Sequence, residues 1–313
     1  MQGRVGLRQV AAVRYAAALR EGGSLPGLME GDDLGTWVVK FRGAGQGRAA
    51  LVAEVVVGEL ARELGLPVPE IVVVDVDPQL GRTEPDQEVQ DLLRASAGAN
   101  LGSDYLPGSI TYDPLAFLVA PELAARVLWL DALTLNVDRS WRNPNLLVWG
   151  GGLWLIDHGA ALYPHHDWAS ADRAIARSLP GVDDHVLLTA VAARPEAFAQ
   201  ADAELAERVE EALLTAVLER VPDDWLAVPP QRYVQWLLAR VAARGAWRDA
   251  VIAALGSVDE AGRAAKPEDA GRSERSEQSG RSGRSGRPDW LRAGDWLRTG
   301  GARPRQPGGR GDA

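Results

Sequence analysis

Asn136-Val137-Asp138-Arg139-Ser140-Trp141-Arg142-Asn143-Pro144-Asn145-Leu146-Leu147-Val148-Trp149-Gly150-Gly151-Gly152-Leu153-Trp154-Leu155-Ile156-Asp157-His158-Gly159 joins three signals: a polar loop, a hairpin and an Asp-x-Gly element. Residues 146–149 and 153–156 are apolar runs suited to strands, and the glycines between them mark a tight reversal. With the turn centred on Gly151, Trp149 pairs with Leu153 and Leu146 with Ile156, which sets Asn145 opposite Asp157 at the open end. Opposed residues on a ladder have Cβ atoms roughly 4.5–5.5 Å apart, a spacing that suits two oxygen ligands sharing one Mg²⁺. A one-residue slip of register removes the opposition, and the plainer alternative is that Asn145 and Asp157 only cap the hairpin. The loop before the hairpin concentrates one Asp, three Asn and two Arg. Asp138 is of the general-base or metal-ligand type, and Arg139 and Arg142 are placed to neutralise phosphate.

Upstream, residues 121–135 read as an apolar helix feeding this loop, and residues 37–41 and 71–75 read as strands. A helix over 48–64 lies between those strands and is ended by Gly65, Pro67 and Pro69. Alternation along the first strand puts Trp37, Val39 and Phe41 on one face and Val38 and Lys40 on the other. Of 34 basic residues only Lys40 and Lys266 are lysines, so a lysine inside an apolar strand needs an anion or a path to water. Glu54 in the following helix is the available anion. Downstream, spacing of four along Leu205, Leu213, Val217 and Val221 with Val209 predicts one amphipathic helix over 199–221, and 222–255 read as helical with a break at Pro229-Pro230.

The chain of 313 residues has a net charge of −9, no Cys, four His and 46% apolar residues. The absence of Cys excludes a disulfide scaffold, a thiol nucleophile and Cys-ligated metal. From Glu260 onward there are 12 basic and 8 acidic residues, so the tail carries +4 and the body −13. An acidic body argues against a nucleic-acid-binding face. The most apolar stretch, 115–137, is interrupted by Glu122, Arg126 and Asp131, and the early arginines Arg4, Arg8 and Arg14 do not suit a signal peptide. No membrane partner and a cytoplasmic location are expected. Residues 268–286, built from Ser, Gly, Arg and Glu, predict a disordered tail, in which Asp-Trp-Leu-Arg occurs at 289–292 and 295–298 as a possible protein-docking motif.

A strand Lys, a helix Glu, a loop Asp followed by Asn, a hairpin and then Asp-x-Gly is the order of parts found in protein-kinase-like phosphotransferases. The chain resembles the HipA-like kinases, specifically their small stand-alone branch, over about residues 8–250. The resemblance is carried by Arg20-Glu21-Gly22-Gly23-Ser24-Leu25-Pro26-Gly27, Val39-Lys40-Phe41, Ala53-Glu54, Glu63-Leu64-Gly65-Leu66-Pro67-Val68-Pro69-Glu70, Asn136-Val137-Asp138-Arg139 and Leu155-Ile156-Asp157-His158-Gly159. It implies that Lys40 holds the α- and β-phosphates of ATP and pairs with Glu54, and that Asp138 orients or deprotonates the acceptor hydroxyl. It implies that Asp157 and an Asn bind Mg²⁺, and that Gly22, Gly23 and Ser24 form a loop over the nucleotide, with Ser24 a site for autophosphorylation. Tyr105, between Asp104 and Leu106, is assigned to the adenine. Two positions depart from the family pattern. Ser140 stands where a His is usual, and Asn143 lies five residues after Asp138 whereas Asn145 directly precedes the strand; the hairpin register favours Asn145. The first strand also starts too early for the extra amino-terminal subdomain of full-length HipA, so that toxin's DNA-bound partnership is not expected.

The expected architecture is α+β: a bilobal protein-kinase-like fold with a small mixed lobe over 1–112, a mainly helical lobe over 113–256 and a disordered tail over 257–313. The expected activity is transfer of the γ-phosphoryl group of Mg·ATP to a hydroxyl, on resemblance that of a protein Ser or Thr. One rival is a pseudokinase that binds nucleotide or acts as a scaffold. Another is a dinucleotide-binding oxidoreductase built on strand 37–41, the turn Gly43-Ala44-Gly45-Gln46-Gly47, helix 48–64 and Asp75. Against the latter, the third fingerprint glycine falls on Arg48. Trp129, Trp141, Trp149, Trp154, Trp168 and Trp225 are read as packing residues, and His165-His166-Asp167 as a polar surface loop.

Overall fold

Five short strands near the amino terminus close into a barrel, in a computed structural model that describes residues 6–19, 26–44 and 47–264. In chain order they are β1 (Gln9–Ala18), β2 (Gly27–Gly31), β3 (Thr36–Lys40), β4 (Ile71–Val76) and β5 (Gly98–Asp104), with α1 (Gly47–Glu63) between β3 and β4 and α2 (Gln87–Ala95) before β5. The spatial order is β1-β2-β3-β5-β4, antiparallel throughout except where β1 meets β4 in parallel and shuts the barrel. Val10, Met29, Trp37, Val39, Phe41, Val72, Val74 and Val76 fill the interior, and Val89 and Leu93 of α2 close one side. Closure needs a glycine at 102, because a Cβ there would lie 2.5 Å from Val74 Cγ2 and 2.9 Å from Val72 Cγ2.

This topology removes the dinucleotide-binding alternative. β3 and β4 both pair with β5 in antiparallel fashion and are not paired with each other, so strand, helix and strand do not form the parallel unit that reading requires. Gly45 and Gln46 of its turn lie outside the described residues. β1, β2 and β5 were not among the expected strands; their Ala- and Gly-rich sequences lack the alternating pattern by which strands are read.

Every residue of α1 from Leu51 to Ala61 is buried, including Glu54 and Glu59. A helix apolar on all sides is covered on all sides: α1 lies against β4 and against α6 (Glu211–Leu218). A second sheet follows, of β6 (Ile110–Thr111), β7 (Leu146–Trp149) and β8 (Gly152–Leu155). The β7–β8 turn has only two central residues, Gly150 and Gly151, with φ of 57° and 78°, values open to glycine without penalty. It pairs Leu146 with Leu155 and Trp149 with Gly152, one residue away from the expected register. The third glycine belongs to the strand, because a two-residue loop of this kind matches the strand twist better than a three-residue one.

The remainder is helical: α3 (Pro121–Thr134), α4 (Leu188–Ala192), α5 (Glu196–Arg208), α6, α7 (Pro230–Ala242) and α8 (Arg244–Ala264). The single helix expected over 199–221 is two, α5 and α6, broken at Val209–Glu210. Apolar residues four apart drift by about 40° per step around a helix of 3.6 residues per turn, so one straight helix would carry this stripe away from the core. α8 also runs to Ala264, past the expected end of the helical part, with Val258 packed on the core. Arg240, fully buried, ties α7 to the end of α3: Nε donates to Leu133 O at 3.1 Å, Nη2 to Ala132 O, and Nη1 to the carbonyls of Ala174, Ile175 and Arg177. Among the described residues no helix is long and apolar enough to cross a membrane. The tail with its two Asp-Trp-Leu-Arg segments lies outside the described residues.

Candidate active site

Lys40 ends β3 with its side chain 20% exposed, and its ammonium is shared by two carboxylates. Nζ donates to Glu54 Oε1 and, at 2.7 Å, to Asp157 Oδ1. Glu54 is a buried residue of α1, and its other oxygen accepts the His158 backbone N–H at 2.9 Å. One buried carboxylate thus fixes both the lysine and the chain leaving the hairpin. Burial opposes the charge on Lys40, but Glu54 and Asp157 outweigh it and hold the ammonium above the ordinary lysine range. Burial likewise pushes the Glu54 carboxyl up against the pull of Lys40. Partial desolvation opposes ionisation of Asp157 as well, yet Lys40 holds it below the usual carboxylate range. Gly159 fits this packing closely, since a Cβ there would stand 3.1 Å from Glu54 Oε1.

Asp138 follows α3 on the polar loop. Its Oδ2 accepts from Asn143 Nδ2 at 2.8 Å and from Asn145 Nδ2 at 3.3 Å, and Asn145 Nδ2 also reaches the Asp138 carbonyl at 3.2 Å. Both asparagines singled out in the sequence therefore meet the same carboxylate, Asn143 exposed and Asn145 buried. The slipped register sets Asn145 beside Ile156, whose N–H donates to Asn145 O at 3.1 Å, so the expected opposition of Asn145 and Asp157 across the ladder is absent. Asn145 and Asp157 share something else: both are left-handed, with φ of 48° and 53°, a conformation Asn and Asp tolerate better than other residues bearing a Cβ.

Arg139 is not a phosphate ligand. Its side chain is completely buried; Nε donates to Asp131 Oδ2 at 2.7 Å, Nη1 to the Asn145 carbonyl, and Nη2 faces His158 Nδ1 at 3.3 Å. A guanidinium only donates, so His158 Nδ1 is the acceptor and its proton lies on Nε2. Burial, aided by Arg139, pushes the His158 pKa down to about 3. Asp131 on α3 also accepts from Asn136 Nδ2 at 2.9 Å and from His185 Nε2 at 3.0 Å. His185 Nδ1 accepts the Leu187 N–H at 3.2 Å, which leaves Nε2 as the protonated nitrogen. Burial opposes ionisation of Asp131, but Arg139 and His185 hold its pKa below the usual range. His185 forms a β-bridge with Ser140, so an imidazole stands beside the position where Ser140 breaks the family pattern. Sequence reading missed Asp131 and His185; a charged residue inside the apolar run of α3 was the signal for the first, and nothing local marks the second. Arg142 is exposed and stacks on Trp141 at 4.2 Å.

Tyr105 is half-buried and its N–H donates to Thr36 O at 3.0 Å; no hydrogen bond joins it to the Lys40 or Asp138 groups. Gly22, Gly23 and Ser24 lie outside the described residues. His165 is buried against Tyr233, not part of a polar surface loop, while His166 and Asp167 are exposed. Among the described residues no three His, Asp or Glu side chains form a cluster able to hold a metal by themselves. The donor set suits a hard cation shared with a ligand: the Asp157 side chain is 44% exposed, and Asn145 turns its nitrogen to Asp138, which leaves its amide oxygen for another partner. Mg²⁺ takes few protein ligands and completes its shell with phosphate oxygens and water.

The sequence matches the HipA-like kinase family over residues 13–244. Solved structures similar to this chain include a Helicobacter pylori proinflammatory kinase, CtkA, at 11% identity and a TM-score of 0.47, covering 77% of this chain and 94% of that one. The Golgi casein kinase is similar at 14% identity and a TM-score of 0.44, covering 82% and 72%. The same kinase with Mn/ADP bound gives 12%, 0.43, 82% and 74%. No curated protein matches the sequence.

Proposed function

The chain belongs to the HipA-like kinase family and is an ATP-dependent phosphotransferase, and from that premise we propose that it moves the γ-phosphoryl group of Mg·ATP to a Ser or Thr hydroxyl of a protein in the cytoplasm. The observation that carries the assignment of roles is the pair of bonds from Lys40 Nζ, which tie β3, α1 and the hairpin exit to one point. Glu54 keeps the ammonium extended. When nucleotide enters, its α- and β-phosphate oxygens take the place of Asp157 on Lys40 and free the Asp157 carboxylate. Asp157 and the amide oxygen of Asn145, with Asn143 the alternative, hold Mg²⁺, which when bound neutralises phosphate charge. Asp138, kept in place by two amide donors, accepts the proton of the attacking hydroxyl or orients it. Gly22, Gly23 and Ser24 cover the phosphates and Tyr105 contacts the adenine. The two lobes meet near residue 112, just after β6, and the Trp-containing tail docks a protein partner.

Thermal unfolding with ATP, with Mg·ATP and with NAD, run beside Asp157→Ala, tests this reading. Ligand at 100-fold over its dissociation constant stabilises the native state by about 2.7 kcal/mol. The expected result is a shift with Mg·ATP that the variant loses. A wild-type protein unmoved by Mg·ATP, or a variant that keeps the full shift, overturns it.

A further inference from the structure

Each of the three guanidinium nitrogens of Arg139 has a partner, and two of the three partners lie on or next to a candidate metal ligand. Nη1 holds the carbonyl of Asn145, the atom that also accepts the Ile156 N–H. Nη2 holds the ring of His158, the residue after Asp157, whose own backbone N–H is bound by Glu54. Nε is anchored on Asp131 of α3, the helix that leads into Asp138. The guanidinium is therefore bonded both to the loop before the hairpin, at Asn145 itself, and to the chain after it, at the residue following Asp157; Asn145 and Asp157 are both left-handed. A buried ion pair is a poor source of stability, since apolar side chains of similar volume do as well. Three bonds in three fixed directions need the planar fork of arginine, which lysine lacks.

We propose that Arg139 is a positioning residue: acting through Asn145 and His158, it sets Asn145 and Asp157 relative to Asp138 and so assembles the metal site without touching nucleotide or acceptor. This rests on the functional reading above. It also gives Asp131 and His185 a task, which is to hold the guanidinium from its far side.

Arg139→Lys keeps a cation beside Asp131 and gives up the other two bonds. Two readouts besides activity follow it: Mn²⁺ affinity in the presence of ADP, read by electron paramagnetic resonance, and hydrogen exchange of peptides spanning 145–158 in the ligand-free protein. The expected outcome is Mn²⁺ affinity weakened by about 10–100-fold, as for other residues that orient metal ligands, with faster exchange in 145–158 and unchanged exchange in α7 and α8. Leu255→Ala, a cavity in α8 at an apolar side chain that is no partner of Arg139, lowers stability and leaves Mn²⁺ affinity per folded molecule as in wild type. If Arg139→Lys does not fold, His158→Ala, which removes one of the three partners, is read in the same two ways. Wild-type Mn²⁺ affinity together with wild-type exchange in the variant overturns the proposal. A wild-type protein that does not bind Mn²⁺ with ADP defeats the functional reading and the metal-site part of this proposal with it, whereas the exchange result in the ligand-free protein is independent of that reading.

Discussion

Lys40 and Asp157 are 117 positions apart in the chain, yet Nζ of one lies 2.7 Å from Oδ1 of the other. The bond spans the barrel strand and the hairpin exit, and Glu54 shares the same ammonium. Lys40→Met leaves Glu54, 5% exposed, without its cation. Removing one partner of a buried pair costs about 3–5 kcal/mol, an upper figure here because Glu54, already raised by burial, relieves it by taking a proton. Thermal unfolding of Lys40→Met near neutral pH should fall well below wild type, at about 2–4 °C per kcal/mol, and the Mg·ATP shift should vanish. A variant as stable as wild type would show that the buried cluster is not ionised.

Asp138 and Asp157 should separate in their effects. Asp138 is held by Asn143 and Asn145 and has no bond to Lys40, whereas Asp157 belongs to the lysine cluster. Asp138→Ala should lower phosphotransfer by roughly 10²–10⁴-fold, the usual contribution of a positioned acid or base, and keep the Mg·ATP thermal shift. Asp157→Ala should lose both. Radiolabelled ATP with a mixed protein acceptor, measured beside thermal unfolding, reads the pair; phosphotransfer by Asp138→Ala at the wild-type rate defeats its assignment.

The parts legible in the sequence were those whose chemistry is unusual for their surroundings: a lysine in an apolar strand, a carboxylate in an apolar helix, and a loop crowded with Asn and Asp beside three glycines. The hairpin was legible and its register was not, because the choice between a two-residue and a three-residue loop depends on strand twist, which leaves no mark in an all-glycine turn. Barrel closure was invisible for a related reason. β5 reads Gly-Ala-Asn-Leu-Gly-Ser-Asp, and its value as a strand lies in small residues such as Gly102 that let Val72 and Val74 come close. Arg139 was assigned to phosphate because an arginine beside an Asp in a loop has no sequence feature that announces burial. Its real partners come from α3, the hairpin and residue 158, a set that only the tertiary fold assembles.

His165 makes the fold sensitive to acid. It is 5% exposed against Tyr233, and burial together with neighbouring His166 pushes its pKa down to about 3. The unfolded chain takes up this proton near pH 6.5 and the folded chain does not, so below pH 6.5 the unfolded state binds more protons and stability falls as pH falls towards 3. The slope approaches about 1.4 kcal/mol per pH unit for a single group once pH is well below 6.5. Urea unfolding of wild type and His165→Gln at pH 7.0 and 5.0 should show a smaller loss for the variant, whatever its stability at pH 7. Equal losses in the two proteins would place the His165 pKa near its ordinary value.

Gly159 and Gly151 separate steric demand at the site from backbone demand at the turn. A Cβ on Gly159 would lie 3.1 Å from Glu54 Oε1 and 3.6 Å from Ala50 Cβ. Glu54 can give way only by straining its bonds, because Lys40 holds one of its oxygens and the His158 N–H the other. Gly159→Ala should therefore cost about 1–3 kcal/mol as overpacking and, by displacing Glu54 or Asp157, reduce the Mg·ATP thermal shift. Gly151→Ala meets no atom within 4 Å but must adopt φ of 78°. Its cost should be about 1–2 kcal/mol of left-handed backbone strain, with the Mg·ATP shift retained. Equal retention of the shift in both variants would mean that the space beside Glu54 at Gly159 is not part of the nucleotide site.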